Sequence, residues 1–229
     1  MCFGVLVVVE PSYYVLWGSG GHAKVLAGAI TKLGGRVLAV FDNDPQAQPV
    51  LPGVPLYIGL SGWRSWLASH DNGTPVAGLA AIGGARGAAR LEAHALFRDA
   101  GLRLGPFCHP DSSVCVTAVL GQGVQILARA VVAADANLGE ACIVNHAASV
   151  DHECELSTGV HIAPGATLCG LVSVGANSMI GAGAVILPRV QIGARCIVGA
   201  GAVVLHNVLD DEIVAGNPAR AIRMRGVGE

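Results

Sequence analysis

Asn145, His146, Asp151, His152, Glu153, Glu155 and His161 crowd into a stretch otherwise built of small and aliphatic residues. At its centre, "VDHEC" sets His152 between two carboxylates. Imidazole titrates near working pH, so a histidine here can accept a proton from a nucleophile, and a neighbouring carboxylate can fix its tautomer and stabilise the imidazolium that forms. Asp151 and Glu153 are both candidates for that second role, since adjacent residues of an extended segment point to opposite faces.

The element that must position these side chains is legible as a repeat. From Val114 to Val204 every sixth residue is aliphatic, and four residues after each comes a small or compact side chain, as in Ala118, Ala130, Ala136, Cys142, Ala148 and Cys154. A helix repeats every 3.6 residues and a strand every two, so a strict six implies short strands and turns recurring around a coil. With three hexads per triangular turn, the aliphatic residues point into a core and the small ones let the chain corner tightly against the next layer, giving about five coils between residues 114 and 208. Cys142, Cys154 and Cys196 stand in the small register and read as compact hydrophobes rather than nucleophiles.

The first part of the chain has a different grammar. Residues 13–17 form an apolar strand that runs into Gly18-Ser19-Gly20-Gly21-His22-Ala23, a G-x-G-x-x-A turn. Helical spacing follows over residues 23–33, Gly34-Gly35 stops it, and residues 36–41 read as a second strand closing on Asp42. In such a βαβ unit, glycines let a phosphate approach a helix N-terminus, and an acid after the second strand can accept a hydrogen bond from ribose or base. A helix over 61–68, a strand over 76–82, a helix over 86–100 and a strand over 102–107 continue the alternation, so a Rossmann-like α/β domain is expected over residues 12–108. Cys108-His109-Pro110-Asp111 marks the junction to an all-β domain over residues 109–229.

Charge and cysteine usage exclude several partners. With 14 basic against 16 acidic residues there is no global electrostatic reason to hold nucleic acid or an anionic membrane. Seven scattered cysteines without C-x-x-C spacing imply a reducing, cytoplasmic compartment. The apolar run over residues 1–9 lacks a basic flank and is short of the roughly 20 residues that span a bilayer, so residues 1–11 read as an N-terminal extension without membrane insertion.

In this order, "GSGGHAK", "NHAASVDHEC", "HIAPGATLCG" and "VAGNPARAI" resemble the bacterial hexapeptide-repeat acyltransferases of the sialic acid O-acetyltransferase and nucleotide-4-aminosugar N-acetyltransferase family, over nearly the whole chain. The resemblance implies a left-handed parallel β-helix that assembles as a homotrimer and takes acetyl-CoA as co-substrate between neighbouring coils, with no metal. It implies a nucleotide-sugar held partly through Gly18, Gly20, Gly21, His22, Asp42, Asn43 and Gly83. It further implies His152 as general base, Glu153 as its orienting acid, Asn145 as a substrate contact, and His161, Gly170, Gly181 and Arg220 as acetyl-CoA contacts. A backbone N–H around Gly170 is a candidate donor to a tetrahedral oxyanion. Arg220, inside the "GNPARAI" loop, is favoured over Arg223 and Arg225 for the phosphates of CoA. His146, where the family commonly has a small hydroxyl residue, is a further candidate substrate contact.

Two departures bear on the substrate. The family often carries paired acids after the second strand, whereas here Asp42 precedes Asn43, and its usual Gly-Asn after the later strand reads Gly83-Gly84. The carrier nucleotide is therefore open. The expected reaction is acetyl transfer to the 4-amine of a nucleotide-linked amino-deoxysugar for surface glycan synthesis, with a sialic acid or other sugar hydroxyl as the alternative acceptor. More distant alternatives are a zinc hydratase using His146, His152 and His161 between subunits, and a non-catalytic trimeric scaffold. A dinucleotide oxidoreductase fits the glycine turn but leaves the coil unexplained.

Overall fold

A computed structural model of the chain describes residues 12–70 and 73–224. The expected N-terminal extension and Arg225 lie outside the described residues. The chain divides into two compact units: one holds residues 12–83 with Glu92–Leu104, the other Gly84–Leu91 with residues 105–224.

The first unit is an α/β layer. Its strands β1 (Tyr13–Trp17), β2 (Arg36–Asp42), β3 (Leu56–Ile58) and β4 (Val76–Ala80) form a parallel sheet in the order β3-β2-β1-β4. The helices are α1 (Gly21–Lys32), α2 (Gly59–Ser69) and α3 (Gly87–Asp99), the last contributing its first turn to the second unit. The chain's few aromatics gather here: the Trp17 and Phe41 rings stack at 5.6 Å, and Trp63 meets Phe41 edge-on at 4.9 Å and Phe97 at 5.8 Å. Such pairs favour offset and edge-to-face geometry because of the ring quadrupole. Gly78 in β4 is demanded by this cluster, since a Cβ there would overlap the Phe97 ring.

The short edge strand β3 carries no alternating pattern, and one expectation fails in this unit. Residues 102–107 do not form a last strand: Arg103 alone bridges to Ala77, and Phe107–Cys108 pairs with Gln125–Ile126 of the coil. Gly105-Pro106 explains the break, because proline has no N–H for a ladder and glycine weakens a strand interior.

The second unit is a left-handed parallel β-helix of two-residue strands stacked into three sheets. Asn137 pairs with Glu155, and Glu155 with Ser173, a step of 18 residues repeated on each face. The aliphatic register is buried from Ile126 through Val204, while Val114 and Leu120 at the first coil are half-buried. Every sixth residue from Gly123 to Gly201 has positive φ, including the non-glycines Ala141, Ala147, Glu153 and Leu171. Each corner thus turns through one left-handed residue, a conformation that costs an L-residue about 1–2 kcal/mol.

Polar atoms of the core register are satisfied one layer on. The Ser178 hydroxyl donates to the Gly193 carbonyl at 2.7 Å and accepts from the Cys196 N–H at 2.8 Å. The thiols of Cys142 and Cys154 donate to the carbonyls of Ser157 and Cys169 at 3.0 and 3.2 Å. Burial pushes these thiols up to about 12 and about 11, so they stay protonated and inert near neutrality. The unit ends in an antiparallel hairpin, Glu212–Gly216 with Ala219–Met224, which extends one of the three sheets.

Candidate active site

His152 stands two residues past the core residue Val150, at a corner of the coil, and one full layer later the same place is taken by Gly170. A Cβ on Gly170 would overlap Nε2 and Cε1 of the imidazole, so the ring occupies the space that the missing side chain leaves. The two layers are joined by the Leu171 N–H donating to the His152 carbonyl at 2.9 Å. His152 Nδ1 lies 3.0 Å from Glu153 Oε2, and both side chains are about half exposed, at 51% and 55%.

The left-handed corner sets which carboxylate meets the ring. At φ 56° Glu153 is not extended, so its side chain is not thrown to the face opposite His152, as it would be in a strand. Asp151 instead caps the turn: its Oδ1 accepts the His152 backbone N–H at 2.7 Å. With Nδ1–H donating to Glu153, Nε2 carries the lone pair, which is the arrangement a general base needs.

A second cluster forms at the preceding corner. Asn145 Nδ2 lies 3.1 Å from His161 Nε2, and His161 Nδ1 lies 3.2 Å from the Gly84 carbonyl. Asn145 Oδ1 accepts the His146 N–H at 2.8 Å, and the His146 carbonyl accepts the Gly165 N–H, which ties the backbone of His146 into the corner. His161 is only 4% exposed, a placement that suits a positioning role better than broad contact with a ligand. The strand Ser149–Val150 separates this corner from that of His152, so one chain presents the two groups at successive corners rather than in one cleft.

Segment Gly84–Leu91 is clamped to the coil by Arg90, a residue the sequence did not single out. Its fully buried guanidinium donates from Nε to the Ala141 carbonyl at 2.9 Å and from Nη2 to the Gly159 carbonyl at 2.6 Å. Burial, and to a lesser degree Arg86, pulls it down to about 10, which leaves it charged near neutrality. The signal that could have found it is Gly87, whose missing Cβ lets the segment lie directly against Gly159 and Asn177.

In the first unit, Gly18 adopts φ 112° and a Cβ there would stand 2.5 Å from the Ala81 carbonyl oxygen, so only glycine makes this turn. Gly20 and Gly21 face open space at the start of α1. Asp42 braces the turn: Oδ2 accepts the Ser19 N–H at 2.7 Å and the Ser19 hydroxyl at 2.9 Å, and Oδ1 accepts the Asp44 N–H at 2.9 Å. Burial works against its charge, but these bonds and the Asn43 N–H outweigh it and hold the carboxyl below its ordinary value. His22 and Gly83 are half-buried and Asn43 is exposed.

Gly181 is required by stacking, because a Cβ there would stand 2.5 Å from the Val198 carbonyl oxygen. Arg220 is exposed in the terminal hairpin, with Nη1 donating to its neighbour's carbonyl at 2.8 Å. Among the described residues no group of three or more His, Cys, Asp or Glu could hold a metal ion, and no helix is long and apolar enough to cross a membrane.

Residues 172–206 match the model of the bacterial transferase hexapeptide family (six repeats). No curated protein matches the chain. The acetyltransferase domain of PglB from Neisseria gonorrhoeae FA1090, solved with acetyl coenzyme A, is 33% identical, with a TM-score of 0.81 over 93% of this chain and 100% of that one. The chain belongs to the hexapeptide-repeat sugar N-acetyltransferases. As such it is an acetyl-CoA-dependent enzyme. This N-acetyltransferase is equally similar to PerB from Caulobacter crescentus, solved with CoA and GDP-perosamine: 33% identity, TM-score 0.80, covering 92% of this chain and 97% of that one. WeeI from Acinetobacter baumannii AYE, at 23% identity and a TM-score of 0.80 over 92% of this chain and 99% of that one, shares the fold.

Proposed function

We propose that this N-acetyltransferase moves the acetyl group of acetyl-CoA to the 4-amine of a nucleotide-linked amino-deoxysugar in surface glycan synthesis, with His152 as general base. The observation that carries the reading is the pairing of His152 Nδ1 with Glu153 Oε2 at 3.0 Å, which directs the basic Nε2 away from the carboxylate. The attacking amine loses its proton to Nε2 as it bonds to the acetyl carbon, and Glu153 stabilises the imidazolium until the thiolate of CoA leaves and is protonated.

The acceptor is held by Asn145, and the nucleotide by the open backbone of Gly20 and Gly21 at the N-terminus of α1, with His22, Asn43 and Gly83 around it. Gly18 and Asp42 shape that turn. Gly170, Gly181 and Arg220 line the path of acetyl-CoA. Asn145 and His152 sit at successive corners, so three coils packed as a homotrimer, each setting one corner against its neighbour's other corner, would complete three shared sites. The outward residues of the intervening face, among them Val131, Ser149, Thr167 and Val185, carry no charge, as a subunit contact requires. Work in the cytoplasm, where acetyl-CoA is available, follows from the same reading.

The test is release of CoA thiol from acetyl-CoA with GDP-, UDP- and dTDP-linked 4-amino sugars and with sugar hydroxyl acceptors, comparing the wild type with His152→Ala. Turnover with an amine acceptor that falls by about 100-fold or more in the variant is expected. Undiminished turnover in the variant removes His152 from the mechanism.

A further inference from the structure

We infer that Gly84, His161 and Arg90 form a positioning relay that fixes the Asn145 carboxamide so that it offers its ligand an N–H donor. The inference rests on the reading of Asn145 as an acceptor contact, and it departs from His161 as an acetyl-CoA contact: His161 acts through Asn145.

The polarity of the relay follows from a fixed point. The His146 backbone N–H can only donate, so the atom of Asn145 that it meets at 2.8 Å is the carbonyl oxygen, and the amide nitrogen is turned to His161. An NH2 group facing Nε2 at 3.1 Å requires a lone pair there, which puts the proton of a neutral imidazole on Nδ1. That Nδ1–H has its acceptor, the Gly84 carbonyl at 3.2 Å, and the ring is buried. The second N–H of Asn145 meets no partner among the described residues, so it is the group left for an oxygen of the sugar acceptor.

Gly84 is itself held. Arg90 Nη1 reaches its carbonyl at 3.4 Å, while Nε and Nη2 bind the shorter carbonyls of Ala141 and Gly159. A guanidinium offers five donors in a rigid fork, and here the fork joins three backbone carbonyls of one unit. Contact at Gly87 brings the segment close enough for this, as a side chain there would strike the Gly159 carbonyl. The His161 ring is thus met at each nitrogen, by Gly84 on Nδ1 and by Asn145 on Nε2, and a ring fixed by Gly84 fixes the amide.

The direct test is long-range proton–nitrogen NMR of the full-length enzyme labelled with 15N-histidine and without substrates, the His161 signals assigned by their loss in His161→Gln. The expected result is a neutral His161 with the proton on Nδ1, and a shift of that proton to Nε2 in Asn145→Asp, where a carboxylate oxygen replaces the NH2. A wild-type ring protonated on Nε2, or on both nitrogens, overturns the relay whatever the enzyme's substrate proves to be. In turnover, Arg90→Lys keeps the charge but loses the fork, and is expected to lower kcat/KM for the sugar acceptor by about tenfold or more with the KM for acetyl-CoA unchanged. A rise confined to the KM for acetyl-CoA in Arg90→Lys or His161→Gln would return His161 to the acyl donor and sink the proposal. Failure of every acceptor with the wild type counts against the assigned reaction and leaves the tautomer result to decide the relay.

Discussion

The imidazole of His152 lies in the space where Gly170, one layer further along the coil, has no side chain. Gly170 has ordinary backbone angles, so alanine is sterically acceptable to the chain but not to the ring. We expect Gly170→Ala to melt within about 1 kcal/mol of the wild type and to lose about 100-fold or more in kcat, as displacement of a reacting group by an ångström does. Circular dichroism melts paired with thiol-release kinetics check this; equal loss of stability and activity would make Gly170 a folding residue only.

Glu153 combines a left-handed backbone with a carboxylate set against His152. Glycine adopts that conformation without the Cβ penalty. Glu153→Gly is therefore expected to stabilise the coil by a few tenths to about 1 kcal/mol while lowering kcat by at least about tenfold. Asp151→Asn, which keeps an oxygen for the His152 N–H, is expected to leave kcat nearly intact. A larger kcat loss in Asp151→Asn than in Glu153→Gln would transfer the orienting role to Asp151.

Asp42 titrates below its ordinary value because its folded carboxylate is the acceptor of several N–H and O–H groups. A depressed folded pKa contributes stability that is present above about pH 4 and lost as pH falls through the folded value. For Asp42→Asn the expected result is a lower melting temperature at pH 7 and a flatter dependence on pH below 4, so that the two proteins converge in acid; an unchanged melting temperature at pH 7 would show that these bonds contribute nothing.

Cys142 and Cys154 present the opposite sign. Their folded values are raised to about 12 and about 11, so the unfolded chain ionises first, and stability falls as pH rises above about 8.5 towards those values. Cys154→Ala should reduce that alkaline slope. Native Cys142 and Cys154 should resist iodoacetamide at pH 8, and rapid alkylation of either by mass spectrometry would contradict their burial.

What the sequence determined by itself was the coil, its registers and its family. The spacing of Val144, Val150, Leu156 and Ile162 and of the small residues between them is a local steric rule repeated without interruption, and such a rule is readable wherever it is obeyed. The βαβ turn was legible for the same reason, because Gly18 answers a local demand of the backbone. The strand expected over residues 102–107 failed where proline and the neighbouring coil outweighed its apolar pattern.

The site was only half legible. That His152 has acids beside it is sequence; that Glu153 and not Asp151 meets its ring is a consequence of a left-handed corner, which the aliphatic period does not reveal. Arg90 lies 51 and 69 residues from the carbonyls it binds, and His161 lies 77 from Gly84. No periodicity connects such positions, since folding alone brings them within hydrogen-bonding distance. Local sterics wrote the coil into the chain, and tertiary contact decided which polar atoms face one another across it.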